Sequence, residues 1–167
     1  MNEEALSKTW RDMTPDEIRS QFDMRVAVPT GQEFVENYWK RSELARNRLR
    51  SVRDVRYGRG PRQTLDIFLA AQPNAPLVMF WHGGGWRYQS KDHFSYVAEP
   101  LVTAGVTTVM VGYDLHPEAT LLRMMSEACE AIVWTVHNAT KYGRRSCPNY
   151  GQRSFRRRAA LRYAISS

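Results

Sequence analysis

A chain of 167 residues in which 43% are hydrophobic has enough material for one domain with a core of its own. It has no apolar run of about 18 residues to span a bilayer, and the polar, acidic start from Met1 to Lys8 has neither the basic head nor the apolar middle of a secretion signal. Its net charge of +7 excludes less than it suggests: residues 1–142 carry 17 Lys and Arg against 17 Asp and Glu, so the entire excess is in residues 143–167, where every base is arginine.

In chain order, Thr14-Pro15-Asp16-Glu17 predicts a helix start. Thr14 caps, Pro15 suits the first helical position, and Glu17 completes a capping box. This helix should end near Asp23, with a connector over Arg25 to Thr30. Between Gln32 and Leu49, Phe34, Val35, Tyr38, Trp39, Leu44, Ala45 and Leu49 recur at helical spacing and predict a helix with a packing face. The same aromatic stripe could line a substrate entrance. Val52 to Tyr57 and Thr64 to Leu69 read as strands of a hairpin around Gly58-Arg59-Gly60-Pro61-Arg62. Leu77-Val78-Met79-Phe80-Trp81 has no polar alternation, which predicts a strand covered on both faces.

Phe94 to Ala104 should be helical, with Gly105 just past its end. Val106 to Gly112 should be a buried strand, and Tyr113 to Pro117 a loop. Thr120 to Tyr142 predicts a long amphipathic helix with Leu121, Met125, Ala128, Ile132, Val136 and Ala139 on its apolar stripe. A hairpin followed by strand, helix, strand and helix predicts an α/β fold with a largely parallel sheet.

The chemistry centres on His82-Gly83-Gly84-Gly85-Trp86, directly after the third strand. Three glycines without Cβ atoms let backbone N–H groups approach a ligand closely. Two such groups aimed at one point stabilise a developing oxyanion. His93, His116 and His137 have no serine and acid nearby in the sequence and read as loop or surface histidines. Cys129 and Cys147 lack metal-ligand spacing and read as free thiols of a reducing cytoplasm.

Tyr57-Gly58, Leu65-Asp66-Ile67-Phe68, His82-Gly83-Gly84-Gly85-Trp86, Asp92-His93-Phe94 and Tyr113-Asp114-Leu115 together resemble bacterial α/β hydrolases of the arylformamidase (kynurenine formamidase) and HGGG-type esterase group. The resemblance implies the N-terminal part of an α/β-hydrolase fold over residues 51–143, an incomplete, mostly parallel sheet flanked by helices, preceded by a helical segment over residues 1–50. It implies hydrolysis of small acyl ester or aryl-formamide bonds by a serine in a G-x-S-x-G elbow, without cofactor or membrane. Gly83 and Gly84 would then present oxyanion N–H groups, His82 and Gly85 would hold the loop in shape, and Trp86 would pack beside the pocket. Asp114 would be structural, because the family's triad aspartate comes later in the chain.

No G-x-S-x-G occurs in the 167 residues, so no nucleophile, acid or base of the triad is identifiable. After Gly143 the family pattern gives way to an arginine-rich tail over 144–167 with no apolar run before Ala159, expected to form little regular structure. Gln152 to Arg158, written CAR CGN TCN TTY CGN CGN CGN and read one base later, allows Ser-Gly-His-Ser-Ala-Gly-Gly. The same shift over Gly143 to Asn149 allows Gly-x-Asp-Pro-Ala-Gln-Ile, and over Ala159 to Ile165 it allows Gln-Leu-Ser-Ala-Met-Leu. Three matches in one frame and in family order predict a frame change near codon 143, and an inactive product. The apolar strands at Leu77–Trp81 and Val106–Gly112 would then leave an unpaired edge and an unstable, aggregation-prone protein. The alternative is a non-enzymatic protein whose basic tail, with Tyr150, Phe155 and Tyr163 among its arginines, binds nucleic acid; the balanced charge of residues 1–142 speaks against it.

Overall fold

A computed structural model describes residues 9–22, 28 and 30–142. The arginine-rich tail, Cys147 and most of the connector expected over 25–30 lie outside the described residues. Contacts group the chain into two units, Met1–Lys40 and Arg41–Ser167.

In the first unit, helix α1 spans Pro15–Gln21 with the capping box that the sequence predicts. The Thr14 hydroxyl accepts from the Glu17 amide at 3.2 Å, and the Thr14 amide donates to Glu17 Oε2 at 2.7 Å. Helix α2 spans Gly31–Arg48 and runs on into the second unit. Its aromatic stripe is not the packing face that the spacing predicts. Phe34, Trp39 and Leu44 are exposed, whereas Ser42 and Ala45 are buried. Helical spacing identifies a face, but what covers it depends on other parts of the chain.

The second unit is built on a four-stranded sheet: β1 Ser51–Arg56, β2 Thr64–Phe68, β3 Leu77–Trp81 and β4 Thr107–Val111, in the spatial order β1-β2-β4-β3. The sheet is mixed. β1 pairs antiparallel with β2, and β2 pairs antiparallel with β4. β3 and β4 form the parallel ladder, with Leu77 opposite Thr107 and Trp81 opposite Val111. A 3-10 segment, Lys91–Val97, leads into α3, Ala98–Thr103, between β3 and β4. α4, Leu121–Asn138, follows β4, and one further 3-10 turn runs to Tyr142.

Strand alternation divides the core between the two faces of the sheet. Leu65, Ile67, Val109 and Val111 pack on one face with Leu77, Met79, Trp81 and the α4 residues Ala131 and Trp134. Phe68, Met110 and Phe80 pack on the other with Phe94, Val97, Ala98 and Val102. The strand covered on every side is β4, which has two paired neighbours and five buried residues. β3 lies at the sheet edge, with Val78 exposed. Among the described residues, the edge expected from the sequence is therefore present on β3 and absent on β4.

The apolar stripe of the last helix is also displaced. Of the six expected residues Leu121, Met125 and Val136 are exposed, Ala128 and Ile132 are half-buried and Ala139 is buried, while within Leu121–Asn138 the buried residues are Met124, Glu127, Ala131 and Thr135. Two of those four are polar, and Glu127 is held by hydrogen bonds, so a periodicity of apolar residues alone misses this face.

Candidate functional site

β3 ends at Trp81, and the glycine turn begins one residue later at the C-terminal end of the parallel ladder. Gly84, Gly85 and Trp86 all have positive φ, at 130°, 59° and 58°. The turn closes on the Gly84 carbonyl, which accepts from the amides of Arg87 at 3.2 Å and Tyr88 at 3.0 Å. Gly84 has no room for a side chain, because a Cβ there would collide with the Tyr88 carbonyl. At Gly83 a Cβ would meet nothing within 4 Å, so this face of the turn opens outward. Among the described residues, neither the Gly83 nor the Gly84 amide donates to any acceptor.

His82 supports the turn from beneath and is buried. Its ring stacks on Tyr113 at 4.5 Å between centroids and faces Phe94 at 6.1 Å. The Tyr113 hydroxyl donates to the His82 carbonyl at 2.6 Å. His82 Nδ1 lies 2.8 Å from the Gly83 carbonyl; a carbonyl only accepts, so Nδ1 carries the proton. Burial pushes the His82 pKa below its ordinary value, against the smaller pull of that carbonyl, which favours the neutral ring. Trp86, expected beside a pocket, is exposed and lines a cavity of about 280 Å³ together with Gly85, Arg87, His116, Leu121 and Met124. The His116 amide donates to the Trp86 carbonyl at 2.8 Å, clipping the loop after β4 to the glycine turn.

Asp114 is fully engaged in structure. Its carboxylate accepts from the Arg62 amide at 3.0 Å and from Arg123 Nη2 at 3.1 Å, and its own amide donates to Glu127 Oε2 at 2.8 Å. Gly60 lies so close that a Cβ there would be 2.5 Å from Asp114 Oδ2. His116 and His137 are exposed, and His93 is half-buried with its Nδ1 3.3 Å from the Ser90 hydroxyl. Cys129 is a free thiol, and no cluster of metal-ligating side chains occurs among the described residues.

One cluster of paired charges is missing from the sequence reading. Lys91, in the segment leaving the glycine turn, is buried, and its ammonium reaches Asp54 at 2.8 Å, Asp66 at 2.8 Å and Asp92 at 3.2 Å. Arg46 pairs with Asp66 and, at 2.6 Å, with Asp92. Asp66 Oδ1 also accepts the Asp54 amide at 2.9 Å, where β1 bulges and Asp54 takes a positive φ. Burial alone would lower the Lys91 pKa, but the carboxylates of Asp54 and Asp66 outweigh it and raise it. The signal is nevertheless present in the chain: an aspartate between Leu65 and Ile67 in an apolar strand needs a buried cation.

Comparison with known proteins points the same way. The BD-FAE family model matches residues 65–146. A kynurenine formamidase of Danio rerio is 31% identical over 132 residues, which is 74% of this chain and 45% of that protein. A kynurenine formamidase of Salmo salar is 32% identical over the same shares. Among solved structures, a hyperthermophilic esterase of Pyrobaculum calidifontis matches with a TM-score of 0.54 at 26% identity, over 79% of this chain and 45% of that one. A structure from Silicibacter sp. tm1040 matches with a TM-score of 0.64 at 25% identity, over 72% and 45%. The chain thus spans less than half the length of these two curated relatives. No helix among the described residues is long and apolar enough to cross a membrane. By its sheet and by these relatives, the chain has an α/β-hydrolase fold and is similar to the arylformamidase and esterase group.

Proposed function

We propose that this chain derives from a cytoplasmic serine hydrolase of small carboxylic esters or aryl-formamides, and that the 167-residue product does not itself turn over substrate. The observation that carries this reading is the pair of Gly83 and Gly84 amides, without acceptors among the described residues, at the C-terminal end of β3. Ligands in parallel α/β sheets bind at strand C-termini, and free N–H groups there suit an oxyanion. In this role His82 and Gly85 keep the turn in shape, and Trp86 walls the adjoining cavity. The kynurenine formamidase and esterase relatives support the two substrate classes.

The proposed inactivity concerns these 167 residues alone. A serine hydrolase needs nucleophile, base and oxyanion donors together. The second oxyanion N–H normally comes from the residue after the nucleophile. Residues 1–167 contain no G-x-S-x-G, so neither is identifiable in them, and the frame coincidence after Gly143 is the reason we propose. The test has two arms. Sequencing the gene through codon 143 should confirm the present frame. The purified chain should leave p-nitrophenyl acetate and N-formyl aniline at the buffer rate, while a version with one base corrected should hydrolyse at least one of them. Turnover by the uncorrected chain would overturn the inactivity; an inert corrected chain would overturn the hydrolase reading.

A further inference from the structure

α4 packs on the sheet through Ala131, and its other side carries an ordered apolar strip. Leu122, Met125, Val133 and Val136 are 79%, 50%, 49% and 41% exposed. Cys129, a half-buried free thiol, lies among them. At 3.6 residues per turn these five share the side of the helix opposite Ala131. From one to the next the steps are 3, 4, 4 and 3 residues. Their mean of about 3.5 is the spacing along which helices pair. At a rise of 1.5 Å per residue the strip is about 21 Å long.

The order of steps reads the same in both directions, with Cys129 at its centre. A two-fold axis through Cys129, perpendicular to the helix, therefore sets Leu122 of one copy on Val136 of the other, Met125 on Val133, and Cys129 on Cys129. That reciprocity is what a symmetric contact between two copies requires. The charges beside the strip are held within their own chain. Arg123 donates to Glu127 at 2.9 Å and to Asp114 at 3.1 Å, and Glu130 accepts from Ser126 and from Gln63, each at 3.3 Å. The strip itself is uncharged, so it sets no like charges against each other across the axis and offers no ion pair to a charged partner. Its size fixes the strength of the contact. A strip of about 21 Å on a helix ~10 Å wide has a footprint of roughly 200 Å², well below the ~800 Å² per partner of a stable complex.

We propose that the outer side of α4 is a self-recognition surface: two copies of this chain pair antiparallel through Leu122, Met125, Cys129, Val133 and Val136, about a two-fold axis at Cys129, in rapid exchange with the monomer. The pairing is independent of whether the chain turns over substrate. It also has a geometry that chemistry can capture. Packed helices lie about 8–10 Å apart, and Cα atoms stand ~2.3 Å from each axis. Facing Cα atoms then come within roughly 3.5–5.5 Å, which overlaps the ~4.4–6.8 Å of a disulfide.

The experiment uses the full chain with both cysteines replaced, Cys129→Ser and Cys147→Ser. One batch then carries Leu122→Cys, and a second, tagged batch carries Val136→Cys. The two are mixed in equal amounts with diamide, which takes up the two thiol hydrogens as a disulfide closes. Links between the batches should form about tenfold or more faster than links within either batch. Met125→Lys in both batches should slow them by about tenfold or more, and Val133→Lys should do the same, so the result does not depend on one variant. Circular dichroism checks that each variant keeps its secondary structure. Val78→Lys, on the bare edge of β3, should leave the rate unchanged. Equal rates within and between batches would mean chance collisions, and faster links within a batch would mean a parallel pair. Either of these, a rate indifferent to both helix lysines, or a rate lost with Val78→Lys overturns the proposal.

Discussion

Asp66→Ala tests the buried ion network most directly. The Asp66 side chain is 0% exposed and holds Lys91 Nζ at 2.8 Å, Arg46, and the Asp54 amide at 2.9 Å. Removing one member of a buried pair costs about 3–5 kcal/mol, because the partner stays buried without its counter-charge. Here Lys91 keeps Asp54 and Asp92, and Arg46 keeps Asp92, so the lower end, about 3 kcal/mol, applies. Asp92→Ala is the internal control. Its side chain is 47% exposed, and water screens the pairs it makes, so the loss should be about 1 kcal/mol or less. In urea at pH 7, with a slope of about 2 kcal/mol per molar, Asp66→Ala should lower the midpoint by ~1.5 M and Asp92→Ala by under ~0.5 M. Fluorescence of Trp81 and Trp134, both packed against the core, reports the transition. Equal midpoint shifts for the two variants would refute the claim that burial sets the cost.

Three further outcomes are expected. Burial favours the neutral His82 ring in the folded chain, so stability is complete above the ordinary value of 6.5 and falls as pH drops below it; urea midpoints measured between pH 7.5 and 5.5 should decline, and His82→Asn should remove part of the slope. Gly84→Ala forces a side chain onto the Tyr88 carbonyl at φ 130°, while Gly83→Ala meets open space, so the first should cost roughly 1–3 kcal/mol and the second under about 1; thermal melts of the two variants check this. Val78→Lys should raise the concentration at which the chain remains monomeric, because it charges the bare edge; light scattering over a dilution series that shows no change would count against β3 as the aggregating element.

Much of this fold is legible in the order of the residues. Leu77–Trp81 is recovered at its observed bounds because five apolar residues end at a glycine cluster, and Thr14–Glu17 predicts its own capping box. The helix expected over Phe94–Ala104 instead begins as 3-10 turns at Lys91 and becomes α-helical at Ala98. Lys91 starts early because it is drawn to Asp54 and Asp66, residues 37 and 25 positions away, which no local pattern contains. The inward face of α4 escapes a sequence reading for a related reason. Glu127 is buried because Asp114 and Arg123 satisfy it, and periodicity counts only apolar residues. The glycine turn is plain in the sequence because its shape depends on backbone, which glycine advertises; the cavity beside it draws on Arg87, Leu121 and Met124, brought together only by the fold.

The position of β3 has a consequence for synthesis. Its parallel neighbour comes later in the chain than β3 itself: β4 begins about 25 residues after β3 ends. A ribosome making this chain therefore releases β3 before the strand that pairs with it. At about 5–20 residues per second, those ~25 residues take roughly one to five seconds to emerge. That interval is a brief window in which an apolar strand without its partner is open to capture by a chaperone.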